Sequence, residues 1–326
     1  MRADHRRLRE VAAAQGGIVL AAQAAGVGLR ADGVARSLRR AGWSRIHPGA
    51  WAEPGRVVDL PLRLRAWQLR HPELVASHSS AAAAHGLALI RPYGAELTTP
   101  GRGRRAAGAV VHGIPVAEEE VTVVAGVRVT TPVRTVCDLL RTLPLEEGVI
   151  AADSALARGA VDGGEVEAAL AASARRPGTR GARRALALTD GGCGSPAESK
   201  ARLEMRAAGL RPESQAEVVT ARGRTARLDF LFRAEGLGVE IEGFTWHGTR
   251  AAHQNDAMRF NELAGCPEVR RLLRFTRDDV FHRPRLTVRT IEAALAALRA
   301  EPSRPSRTAG QDGAPLRPGT GEGGGR

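Results

Sequence analysis

The stretch VEIEG, residues 239–243, sets Glu240 and Glu242 two apart in an otherwise apolar run. On a β-strand side chains alternate faces, so both carboxylates point the same way. Two rises of ~3.3 Å put them roughly 6–7 Å apart. Like charges side by side on a half-buried surface repel, and each resists losing its water. A third acid, Asp229, lies in ARLDFLF (226–232), again among apolar neighbours. If the two runs pair as a hairpin, Asp229 comes beside Glu240 and Glu242. Three carboxylates at one sheet edge are costly unless a cation neutralises them. Mg2+ fits best, because it takes oxygen ligands, few carboxylates and several waters. An ion held there polarises a phosphodiester and lowers the pKa of water. The plainer alternative for Asp229 is an ion pair with Arg227 or Arg274. For Glu242 it is exposure at the strand end.

The elements around these acids can be read from spacing. SPAESKARLEMRAAGL (195–210) opens a helix, with Ser195 as N-cap, Pro196 at the first position and Glu198 closing a capping box. QAEVVTA (215–221) is a strand and RGRT (222–225) a turn. In the next strand Leu228, Phe230 and Phe232 face one side, and Arg227, Asp229 and Leu231 the other. GVEIEGFTWHG (238–248) is a third strand running into a Gly-containing loop. A helix over 251–265, a strand over 268–276 and an amphipathic helix over 285–300 complete the unit.

This order, with Asp256, Arg259 and Asn261 on the fourth element, resembles the PD-(D/E)xK nuclease superfamily, in particular its branch related to very-short-patch repair (Vsr-like) endonucleases. The resemblance covers about a third of the chain. It implies a restriction-endonuclease-like αβββαβ domain with Asp229 and Glu240 as metal ligands. Glu198 matches the acid of the first helix, and His247 the histidine just past the third strand. Glu242 stands where the family's name-giving lysine is usual. Water activation then rests on the ion, on Glu242 or on His247.

The N-terminal residues read differently. Helices are expected over 4–14, 19–25 and 30–42, followed by WSRIHPGAWA (43–52), two short extended runs around a Pro-Gly turn. In the third helix Val34, Leu38 and Ala41 form one apolar stripe, and Arg36, Arg39 and Arg40 project away from it. Three helices and a hairpin make a winged helix-turn-helix. Its third helix would enter the major groove of double-stranded DNA, with Arg36, Arg39, Arg40 and, on the wing, Arg45 meeting phosphates or guanine edges. Residues 12–52, ELVASHSSAAAAHGL (73–87) and VTTPVRTVCDLLRTLPLEEGVIAADSAL (129–156) resemble the AbiEi-type antitoxins of type IV toxin–antitoxin systems. That resemblance implies DNA binding by the first domain and capture of a cognate toxin protein by the second. On their own residues, His78, Ser79, Ser80 and His85 carry no nucleophile motif and read as packing. Asp138 and Asp153 read as caps, arginine partners or solvated groups.

The chain of 326 residues carries a formal charge of +13, which favours polyanionic partners. Arginine supplies nearly all of it; Lys200 is the sole lysine. Aromatics are 3%, too few for stacking platforms along a single strand. Cys137, Cys193 and Cys266 are widely spaced, against a zinc module or a disulfide framework and in favour of reducing cytoplasm. No run reaches the length of a membrane span. Residues 17–30 follow a basic start, as in a signal peptide, but they are mostly Ala and Gly and are interrupted by glutamine. The expected fold class is α/β of the α+β kind. It comprises a winged helix-turn-helix (1–54), a mixed α/β middle domain (55–190), a nuclease-fold domain (195–300) and a disordered tail (301–326). Two functions compete: a Mg2+-dependent DNA endonuclease, and a non-catalytic antitoxin that represses its own promoter.

Overall fold

The computed structural model describes residues 2–106, 108–242 and 250–301. The tail beyond 301 and His247 lie outside these residues. The fold is α+β, with three sheets among the described residues.

The first group comprises α1 (Arg2–Ala14), β1 (Ile18–Leu20), α2 (Ala21–Gly26), α3 (Val34–Arg40), β2 (Ser44–His47) and β3 (Ala50–Ala52). Ile18–Leu20, expected to lie mostly within the second helix, is instead a strand. It pairs with β3 and extends the hairpin to a three-stranded sheet ordered β1-β3-β2. Leu8, Val19, Leu38, Trp43 and Trp51 form its core.

The second group comprises α4 (Leu60–Arg70), β4 (Val75–Ala76), α5 (His78–Ala84), β5 (Ala95–Thr99), β6 (Arg104–Ala106), β7 (Ala109–Gly113), β8 (Val121–Val124), β9 (Val127–Thr130), α6 (Pro132–Thr142), α7 (Leu145–Ala157), α8 (Gly163–Ala172) and α9 (Thr179–Leu186). Its mixed sheet runs β6-β7-β5-β4-β9-β8. Helix α4 serves two cores: Leu62 and Ala66 pack on Ile18, Ile46 and Ala50, while Leu64 and Trp67 pack under the six-stranded sheet.

The third group comprises α10 (Pro196–Ala207), β10 (Glu213–Val219), β11 (Thr225–Phe232), β12 (Leu237–Glu242), α11 (Arg250–Ala264), β13 (Arg271–Thr276), α12 (Arg277–His282) and α13 (Pro284–Ala300). The sheet is ordered β10-β11-β12-β13, antiparallel except for the parallel pair β12 and β13 that α11 connects. One face, with Phe230, Phe232, Leu237, Val239 and Ile241, is covered by α10, α12 and α13. The other, with Ala216, Val218, Leu228 and Leu231, is covered by Leu263, Cys266 and Val269.

Two features of this sheet position the acids. The β11–β12 hairpin turns where the Phe232 carbonyl accepts the N–H groups of Glu235 and Gly236. Gly236 has φ +68°, and a Cβ there would meet the Glu268 carbonyl oxygen at 2.9 Å, so only glycine fits without strain. Beyond the turn, the face alternation expected for β11 breaks. Phe230 and Phe232 share a face, as expected, but Leu228 packs with Leu231 on the opposite one. The slip falls at Asp229. Across the pair, Gln215 has φ +48°. Left-handed backbone costs a non-glycine residue about 1–2 kcal/mol, so the slip is held against resistance.

Candidate functional site

Strands β11 and β12 pair through Phe230↔Val239 and no further. One step on, the side chains of Asp229 and Glu240 take over the ladder. The Ile241 N–H donates to Asp229 Oδ2 at 2.7 Å, and the Asp229 N–H donates to Glu240 Oε1 at 3.2 Å. The acids therefore lie together where the hairpin splays. Strand β12 alternates as expected: Val239 and Ile241 are buried in one core, and Glu240 and Glu242 lie on the other face.

Helix α10 brings a further acid. Ser195 caps it, its Oγ accepting the Glu198 N–H at 3.2 Å. The expected capping box does not close. Glu198 reaches past Ser195 and accepts the Gly194 N–H at 2.9 Å. Its same oxygen, Oε2, accepts Gln215 Nε2 at 2.9 Å, and that nitrogen also donates to Asp229 Oδ1 at 3.2 Å. Glu198, Asp229 and Glu240 thus form one linked cluster. The helix bearing Glu198 is fixed from behind: Arg202 pairs with buried Asp153 of α7 at 2.8 Å, and Lys200 with Glu146 of α7 at 2.8 Å. The sole lysine is therefore an interface residue.

Burial sets the electrostatics. It raises the Asp229 carboxyl above the usual carboxylate range, against the Ile241 N–H and Arg259. It raises Glu198, and the Asp229 charge adds to the effect. Glu240 is pushed to about 7 by burial and by Asp229, although Arg259 opposes the rise. Arg259 Nη2 lies 3.1 Å from Glu240 Oε2 and also donates to the Arg227 carbonyl at 3.0 Å.

Neither Arg227 nor Arg274 pairs with Asp229: Arg227 lies 3.8 Å from Glu217, and Arg274 pairs with Glu242 at 2.6 Å. Glu242 stands apart from the cluster, facing a cleft of about 240 Å³ whose lining includes Leu89, Ile90, Ser195 and Arg277.

Among the described residues no three His, Cys, Asp or Glu side chains are arranged as a ready ligand set for a metal ion. The donor chemistry nevertheless fits Mg2+. Two adjacent carboxylates are oxygen ligands of the kind that ion takes, and burial together with the neighbouring Asp229 charge raises Glu240 well above its ordinary value. Asp229 and Glu240 would hold it, with Arg259 moving aside.

The basic residues of the N-terminal unit are exposed: Arg36, Arg39 and Arg40 on α3 and Arg45 on β2. Val34 and Leu38 turn inward, and the Arg39 guanidinium lies 5.6 Å from the centroid of the Trp51 ring. The sequence RRPGTRGARR (175–184) is a further basic run; it contributes most of α9, with Thr179, Ala182 and Ala185 buried and Arg180, Arg183 and Arg184 exposed.

A second polar cluster lies in the middle unit. His78, nearly fully buried at φ +49°, stacks on His112 with ring centroids 3.8 Å apart. His112 Nε2 lies 3.1 Å from Glu96 Oε1, and Glu96 Oε2 accepts the Ser79 N–H at 3.0 Å and the Ser79 hydroxyl. Burial would raise Glu96, but hydrogen bonds from His112 and Ser79 outweigh it and leave the carboxyl below its ordinary value. Burial lowers His78 to about 4. His78 and His85 do not share a site: His85 Nε2 lies 2.7 Å from the Thr130 carbonyl oxygen. Asp138 and Asp153 prove to be buried arginine partners, of Arg134 and Arg202 respectively, each at 2.8 Å. The stretch 189–196, Gly-rich in sequence as a linker would be, is pinned: Cys193 enters the C-terminal core and the Asp190 N–H donates to Asp153. All three cysteines are free and buried, and among the described residues no helix is long and apolar enough to cross a membrane.

Sequence reasoning missed Gln215 and Glu96. Glu96 offered no local signal. For Gln215 the expected turn misleads: counting back through RGRT (222–225) sets Val218 opposite Asp229, whereas the strands pair as Ser214↔Phe230 and Ala216↔Leu228, which puts Gln215 there.

No protein-family model matches the sequence. Two proteins of Mycobacterium tuberculosis are similar to it, "Uncharacterized protein Rv2248" of strain ATCC 25618 / H37Rv and "Uncharacterized protein MT2308" of strain CDC 1551 / Oshkosh. Each is 31% identical over 229 residues, covering 69% of this chain and 83% of the mycobacterial protein. With that identity over that span, the chain belongs to the same family as these two mycobacterial proteins.

Proposed function

We propose that the protein is a cytoplasmic, DNA-binding Mg2+-dependent endonuclease, with a Vsr-like PD-(D/E)xK site at its C-terminal sheet and an N-terminal winged helix that seats double-stranded DNA. One observation carries this reading. Asp229 and Glu240 are held together at a splayed hairpin, at a cost in desolvation and repulsion that the single guanidinium of Arg259 leaves uncorrected.

Mg2+, when bound, supplies polarisation of a phosphoryl oxygen and acidification of water. Asp229 and Glu240 would hold the ion, with Glu198 linked to Asp229 through the Gln215 amide. Arg259, freed from Glu240, is placed to meet a phosphate. Arg274 and Arg277, flanking Glu242 and its cleft, counter charge developing on the phosphoryl group. The proton from the attacking water would go to Glu242 or His247, as the resemblance implies; Glu242, which stands apart from the acids, would first have to leave Arg274.

A second reading has support of its own. Arg259 on Glu240 and Arg274 on Glu242 let the chain neutralise two of its acids unaided. A non-catalytic antitoxin that represses its promoter and binds a cognate toxin is compatible with that pairing. Nicking of supercoiled plasmid in Mg2+ separates the two. Cleavage by the wild type that Glu240→Ala abolishes supports the enzyme. Intact promoter binding without cleavage in Mg2+ or Mn2+ supports the regulator.

A further inference from the structure

Gln215 stands between two acids. A single amide nitrogen, Nε2, spans Glu198 Oε2 at 2.9 Å and Asp229 Oδ1 at 3.2 Å, using one N–H for each. The residue does so from a left-handed backbone, between the pairs Ser214↔Phe230 and Ala216↔Leu228, at the level where β11 changes the face it presents. Regular extended backbone would carry residues 215 and 229 through without that turn. The distortion therefore accompanies the contact with Glu198, which comes from a separate element, α10.

The chemistry of the bridging group matters. An arginine or lysine here would bind the carboxylates and also cancel the charge that attracts a cation. Arg259 already does this to Glu240. A glutamine amide donates two hydrogen bonds and carries no net charge, so it fixes the geometry of the acids and leaves their field intact. With its Oδ1 on Gln215 and its Oδ2 on the Ile241 N–H, Asp229 is oriented at both oxygens.

We propose that Gln215 is a positioning residue that clamps Glu198 against Asp229 and so fixes the geometry in which Asp229 and Glu240 take a divalent cation. This rests on the nuclease reading of the same site. Glu198 then belongs to the site as its third acid, acting through the clamp and not only as part of the helix N-terminus.

The test is Mn2+ affinity of the full-length protein, titrated by electron paramagnetic resonance without DNA. Gln215→Gly removes the amide and tolerates the left-handed backbone. Groups that orient a ligand typically change metal affinity by about 10–100-fold, and Gln215→Gly is expected to raise the Mn2+ Kd by at least about tenfold. Glu198→Gln should weaken binding similarly. The double variant should be little weaker than either single one, because the two residues act as a unit. Wild-type affinity in Gln215→Gly, or effects that multiply in the double variant, overturns the clamp. Should Gln215→Gly fail to fold, Gln215→Asn takes its place: its amide is one methylene shorter and cannot span both acids, so the same loss is expected. If the wild type binds no Mn2+, or Glu240→Ala binds it as well as the wild type does, the nuclease reading itself fails and the clamp with it. If Glu240→Ala abolishes binding and Gln215→Gly does not alter it, the clamp alone fails.

Discussion

Asp229 and Glu240 each hold the other's strand: the Asp229 carboxylate takes the Ile241 N–H at 2.7 Å, and the Glu240 carboxylate takes the Asp229 N–H at 3.2 Å. Side chains do here what backbone carbonyls do along the rest of the hairpin. Two half-buried carboxylates are thereby fixed at the point where the strands part.

Glu240 makes this arrangement depend on pH. Its carboxyl sits near 7 in the folded chain, against an ordinary value of 4.5. The folded state holds this proton more tightly, so the group's stabilising contribution is full below pH 4.5 and is lost as pH rises through 7. The difference corresponds to roughly 3 kcal/mol at most. Glu240→Gln should therefore raise stability at pH 8 by about 2 kcal/mol and change it little at pH 4.5. Chemical denaturation at the two pH values measures this; an equal effect at both would contradict it. Mg2+ should raise the melting temperature of the wild type at pH 8 and leave that of Glu240→Gln unmoved.

Arg202 anchors the helix that presents Glu198. Arg202→Ala leaves the Asp153 carboxylate buried without its partner, which costs about 3–5 kcal/mol. Pairing the change with Asp153→Leu should restore much of that loss, because no bare charge remains. Urea unfolding of the single and double variants decides; a double variant no more stable than Arg202→Ala rules the explanation out.

The middle unit responds to acid in the opposite sense from Glu240. His78 titrates near 4 when folded and near 6.5 when free. The unfolded chain takes up this proton first, so stability is full above pH 6.5 and falls as pH drops towards 4, by roughly 3 kcal/mol. His78→Gln should flatten the stability profile between pH 6.5 and 4. An unchanged slope would show that the stacked pair with His112 does not carry the acid sensitivity.

Much of this was legible in the sequence. Alternation and caps located the C-terminal strands and helices, because a half-buried strand must alternate and a helix start needs an oxygen cap. The pairing of Asp229 with Glu240 followed from hairpin geometry. What escaped was set by non-local or strained backbone. The left-handed φ of Gln215 defeats a rule that assumes regular pleating, so Leu228 was placed on the wrong face. Glu198 is a candidate only through the resemblance, and its link to Asp229 through Gln215 cannot be read from a capping pattern. His78 and His112 lie 34 residues apart, a distance at which local pattern says nothing.

Arg36, Arg39 and Arg40 should act on DNA through phosphates. Replacing all three with alanine is expected to reduce the slope of log K against log salt by about 3, close to one for each phosphate no longer neutralised. Fluorescence anisotropy over a NaCl series measures the slope. An unaltered slope would place the DNA elsewhere on the molecule.

The most direct measurement is anomalous diffraction from crystals soaked in Mn2+. A peak between the carboxylates of Asp229 and Glu240, with Arg259 withdrawn from Glu240, is the predicted result. Arg259 still on Glu240, with no peak at that pair while the ion is present in the soak, would contradict the account.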